Sequence, residues 1–112
     1  MKRAKTPRPA ARTGAAIPPL DRLLHAPVRL GVVSSLRRGP LTFGQLKAAL
    51  GATDGNLSVH ARKLEAAGYV TCEKSFAGRV PRTRYRVTPK GRRALAKYLA
   101  EMEAILGASP GR

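Results

Sequence analysis

Between Leu50 and Thr53 the chain has two residues, Gly51 and Ala52, in which to end one helix and begin another. Upstream, Thr42-Phe43-Gly44-Gln45 fits a capping box, in which a Thr hydroxyl and a Gln amide three residues apart satisfy the first free amides of a helix. Phe43, Leu46 and Leu50 follow at helical spacing. Downstream, Thr53 is the next candidate cap, and a helix over about 54–67 carries Leu57, Ala61 and Leu64 on one side before Gly68 closes it. Two amphipathic helices joined so tightly must cross at a steep angle, which leaves few ways to complete the fold.

The flanking segments narrow the choice. Asp21 can cap a short turn, Arg22–His25, and Pro27 suits the first position of a helix. Val28, Leu30, Val32, Val33 and Leu36 then form an apolar helix that stops at Gly39-Pro40. After Gly68 the pattern changes. Tyr69–Glu73 and Thr83–Val87 read as strands, with a loop containing Phe76–Arg82 between them, giving a hairpin with a basic tip. Thr88-Pro89 opens a last helix, 89–106, which Gly107 stops. The expected fold class is α+β, mainly α: a three-helix core with a helix-turn-helix, a β-hairpin wing and a C-terminal helix.

Charge says what such a body meets. Against 22 Lys and Arg stand 6 Asp and Glu, a net charge of +16, and nucleic acid is the commonest partner for such an excess. Residues 1–19 hold five cations, no acid and four prolines, and read as a disordered basic arm; 108–112 read as a tail. The folded part, 20–107, keeps about +10 of the charge, so the basicity belongs to the fold as well as the arm. The single Cys72 allows no disulfide within the chain and reads as a small buried residue. No apolar run is long enough to span a membrane, so a cytoplasmic, nucleoid-associated location is expected. With few acids, two histidines and no phosphate-cradling loop, neither an enzyme, a metal site nor a cofactor is expected.

At 100° per residue, the side of the third helix opposite Leu57, Ala61 and Leu64 is small, polar and cationic, without a carboxylate. Thr53, Gly55, Asn56, Ser58, Val59, Arg62 and Lys63 are its candidate contact residues, since Arg pairs with guanine, Asn with adenine, and Val meets a thymine methyl. Asp54 reads as a first-turn stabiliser and His60, about 60° from Leu57, as a half-buried packing residue. On the hairpin, Arg79, Arg82 and Arg84 are candidate phosphate or minor-groove contacts, with Arg86 on the same face as Arg82 and Arg84. In the last helix Leu95, Tyr98, Leu99, Met102, Ile105 and Leu106 form a stripe. It continues about four turns beyond the compact body and is expected to pair with the same helix of a second subunit.

Four segments together carry a family likeness: Leu20–Leu30, Asp54–His60, Leu64–Val70 and Gly78–Thr83. On these residues the chain resembles the short winged-helix bacterial transcriptional regulators related to the MarR and ArsR types. The resemblance implies a homodimer that reads double-stranded DNA at a pseudo-palindromic operator, more often as a repressor, with the third helix in the major groove and the wing near the minor groove. The paired cysteines of the metal-sensing members and the longer scaffold that forms an effector pocket in others are missing here. The alternative is a nucleoid-type or RNA-associated protein that binds phosphate with little sequence preference.

Overall fold

A computed structural model describes residues 20–107; the basic arm and the tail lie outside them. The elements run α1 (Pro27–Leu36), β1 (Leu41–Thr42), α2 (Phe43–Leu50), α3 (Asp54–Ala66), β2 (Val70–Ala77), β3 (Val80–Val87) and α4 (Pro89–Gly107). The winged helix-turn-helix expected from the sequence is present.

Local chemistry explains the helix ends. Asp21 Oδ1 accepts the amides of Leu23 and Leu24 at 2.8 and 3.1 Å, holding the turn that precedes α1. At α2 the capping box is complete: Gln45 N–H donates to Thr42 Oγ1 at 3.1 Å, and Thr42 N–H donates to Gln45 Oε1 at 2.9 Å. Gly51 ends α2 with φ +61°, a left-handed conformation that costs glycine little. Thr53 then caps α3 two residues later.

The hairpin is longer and tighter than expected. Its strands pair from Val70↔Val87 out to Ala77↔Val80, so the expected Phe76–Arg82 loop is mostly strand. The turn is Gly78-Arg79, with Gly78 at φ +67°, as the primed two-residue turns require at their first central position. Pro81 fits within β3 because β1 flanks that strand only at Arg84 and Tyr85, leaving the side beyond them open. The sheet order is β1-β3-β2.

The core gathers one side of every helix and the base of the wing: Val32, Val33 and Leu36 of α1, Leu46 of α2, Leu57, Ala61 and Leu64 of α3, Val70, Tyr85 and Val87 of the sheet, and Leu95 and Tyr98 of α4, with Leu24 beside them. Two expectations for α4 change. Leu95 and Tyr98, assigned to a subunit interface, are 2 % and 3 % exposed and belong to the protomer's own core. Met102 also packs against that core, so only the helix beyond it, little more than one turn, projects rather than four. The stripe's exposed part is Leu99 and Leu106, with Ile105 and Met102 half-buried beside them.

α3, the wing and α4 meet at one junction. Thr88 Oγ1 donates to the carbonyls of Gly68 and Tyr69, at 2.6 and 3.1 Å, and accepts the Gly91 amide at 3.0 Å. Lys90 Nζ donates to Ala67 O at 2.8 Å, closing the end of α3. Gly91 is buried against this backbone: a Cβ there would stand 2.2 Å from Tyr69 O and 2.9 Å from Val87 Cγ2. Since neither the backbone nor the packed valine can yield cheaply, Gly91→Ala should lower stability by about 2–3 kcal/mol despite alanine's better helix propensity. Thermal melts followed by circular dichroism check this, with a fall in Tm of roughly 8–20 °C expected.

Candidate nucleic-acid interface

Because Leu57, Ala61 and Leu64 are buried at helical spacing, the rest of α3 is fixed outward. Gly55, Asn56, Val59, Arg62 and Lys63 are exposed and Ser58 is half-buried. Thr53 is exposed too, but its hydroxyl accepts the Asn56 amide at 3.1 Å, so the residue first serves to start the helix. Val59 is 47 % exposed, an apolar side chain left in the middle of a polar face. A Cβ on Gly55 would meet nothing within 4 Å; the fold itself does not require that glycine.

Two carboxylates border this face. Asp54 pairs with Lys47 of α2 at 2.7 Å, an exposed bridge worth about 0–1 kcal/mol that cancels a negative charge beside the helix start. Glu65 is exposed and lines, with Arg62, the cleft that α3 shares with the wing.

The opposite edge of α3 is tied to the N-terminal helix. Arg29 Nη1 donates to His60 Nδ1 at 2.9 Å, and Arg29 Nε donates to Leu23 O at 2.6 Å. His60 is half-buried, as its place on the wheel suggested. Burial, then the positive charges of Arg29 and Lys63, hold its imidazole below the ordinary pKa of 6.5 and keep it neutral as an acceptor.

On the wing, Arg82, Arg84 and Arg86 share the outer face while Tyr85 and Val87 turn inward. Arg84 and Arg86 both approach Glu73 of β2, their Nε atoms lying 4.0 and 3.5 Å from its carboxylate. Arg79, in the turn, and Arg82 make no ion pair with a described residue. The free positive charge of the wing is therefore concentrated toward its tip.

An open cleft of about 610 Å³ joins the two elements. Ser58, Arg62 and Glu65 of α3 form one wall, Cys72, Lys74, Thr83 and Tyr85 of the wing the other, with Phe43 of α2 between. Burial, with Cys72 next to it, raises the Tyr85 phenol to about 12. Lys74 was missed by sequence reasoning because it fell between the expected strands. The alternation Val70, Cys72, Lys74, carried two residues further, would have found it.

The winged helix DNA-binding domain family matches residues 28–106. An uncharacterized protein of Methanocaldococcus jannaschii, MJ0432, is 46% identical over 61 residues, 54% of this chain and 65% of that one, so the match spans just under two thirds of that relative. Among solved structures, a transcriptional regulator homologue from Pyrococcus horikoshii OT3 is 36% identical at a TM-score of 0.72, over 78% of this chain and 87% of that one. Bacillus subtilis PadR, solved in complex with operator DNA, shares the fold at 18% identity and a TM-score of 0.60, over 64% of this chain and 46% of that one. The winged-helix likeness read from the sequence is borne out by the family match.

The depressed His60 pKa carries a sign. The folded chain resists protonation there more than the unfolded chain, so stability is held above pH 6.5 and lost as pH falls from 6.5 toward the lower folded value. Urea titrations between pH 7.5 and 5.5 should show stability falling on the acid side, no more steeply than the single-proton limit of about 1.4 kcal/mol per pH unit. His60→Gln should flatten that slope.

Proposed function

Because the chain belongs to the winged helix DNA-binding domain family, we propose that it is a sequence-specific transcriptional regulator that binds double-stranded DNA as a homodimer. It acts in the cytoplasm, on the nucleoid, as a repressor by occupancy, without catalysis. The observation that carries the reading is the composition of the outward side of α3. Asn56, Val59 and Arg62 offer three kinds of base-edge contact, with Gly55 leaving room at the helix start and Lys63 beside them. Thr53 and Ser58 complete the face that enters the major groove. Arg79 and Arg82 bind the phosphates or the minor groove beside it, and Arg84 adds what charge Glu73 leaves it. The operator complex of PadR, a protein with the same fold, supports DNA as the partner.

The last two turns of α4 supply the two-fold contact through Leu99, Met102, Ile105 and Leu106; Leu95 and Tyr98 contribute by anchoring the helix from inside. Sedimentation at micromolar concentration should give a dimer, and replacing Leu99 and Leu106 with Glu should give a folded monomer. A wild-type chain that sediments only as monomer would overturn the dimer.

Selection of bound duplexes from a random pool at physiological salt tests the whole reading. The expected product is a two-fold symmetric motif with half-sites about one helical turn apart. Arg62→Ala should cost about 1–3 kcal/mol on that motif and relax the base preference at one position. Removing residues 1–19, with their five cations, should weaken binding to all sequences alike and lower the salt slope by up to about 4.5 per protomer. Retention without any enriched motif would favour the nucleoid-type alternative.

A further inference from the structure

We propose that Phe76, backed by Pro81, is an apolar wedge with which the wing enters the minor groove and partly unstacks a base step flanking the site read by α3; this rests on the DNA-binding reading above. Phe76 is 72 % exposed, a phenyl ring with almost nothing of the fold over it. Its register partner is Pro81, so two apolar rings face each other across the hairpin. By strand alternation this pair lies on the same face as Lys74 and Thr83, which line the cleft shared with Ser58 and Arg62 of α3. Phe76 stands about 7 Å further out than Lys74 along the strand.

The surroundings say what can cover it. Lys74 shares its face, Arg79 lies in the turn and Arg82 sits on the opposite face; the sequence from Lys74 to Ala100 contains no acid, and Glu65 of α3 borders only the cleft further in. An occupant must therefore have an apolar interior and an anionic rim. A second copy of this chain, at +16, would bring cation against cation. A DNA minor groove, about 6 Å wide, has phosphate walls around stacked bases and admits a single side chain presented at the end of the wing. Apolar side chains inserted there unstack pyrimidine–purine steps most cheaply, so the wedge gives sequence preference at a position that no hydrogen bond reads.

Duplexes carrying the selected motif, with 2-aminopurine at single flanking positions, report the unstacking. Wild-type protein should raise the fluorescence at one step on each side and bind T-A or C-A there more tightly than A-A. Phe76→Ala should keep its Tm and the motif read by α3. It should lose the fluorescence change and the flanking preference, and bind about tenfold to a hundredfold more weakly. Phe76→Leu should recover most of the affinity. A motif enriched equally by wild type and Phe76→Ala, with no flanking preference in either, overturns the wedge and leaves the regulator standing. Failure of the wild type to retain any DNA overturns both. Phe76-dependent binding to vesicles of anionic phospholipid, with no Phe76 effect on DNA, also overturns the wedge and assigns the tip to a membrane surface.

Discussion

The hydroxyl of Thr88 makes contact with three elements at once: it donates to the carbonyls that follow α3, accepts the amide that opens α4, and sits at the foot of β3. Gly91 lets α4 close onto that point at a distance no side chain allows. The angle between α3 and the wing is fixed here. Tyr69 continues the same seam on the other side, where its hydroxyl donates to the Asp21 carboxylate, and burial and that bond raise the phenol to about 12. Asp21 in turn caps the first turn of the fold. A small aliphatic core could tolerate some slippage between its helices; these polar ties remove it, so a surface assembled from separate elements behaves as one body.

The charge distribution follows from the same packing. The core cluster contains no ionised group, and the phenol of Tyr85 and the imidazole of His60 are both held in their uncharged forms where α3 meets its neighbours. Positive charge is left to the periphery, with Arg84 and Arg86 partly neutralised by Glu73 and the tip left free. The result is a gradient along the wing, from a compensated base to an uncompensated end.

Much of this was legible in the residues. The pairs Thr42/Gln45 and Gly51/Thr53 define the helix-turn-helix because capping and left-handed turns are local chemistry, complete within four residues. The outward face of α3 followed from the spacing of Leu57, Ala61 and Leu64. What escaped depends on contacts between distant segments. β1 is two residues long and is a strand only because Leu41 and Thr42 meet Tyr85 and Arg84. Pro81 looks like a loop residue until it is known that β3 has an open side there. In α4 the stripe gave the face but not how far the protomer itself would cover it, which Leu95, Tyr98 and Met102 settle only in three dimensions.

The two-residue turn at Gly78-Arg79 gives the wing a property of its own. Every residue of β2 has a partner in β3, from the base to the turn, so nothing in the hairpin can absorb a length change. One extra residue in one strand would exchange its faces beyond that point, and near the base would send Tyr85 outward and an arginine into the core. Adding two residues to each strand keeps both faces and carries the tip about 7 Å outward. The wing is in this sense a ruler graduated in pairs, and related chains that reach a different distance along DNA are expected to differ from it by even steps.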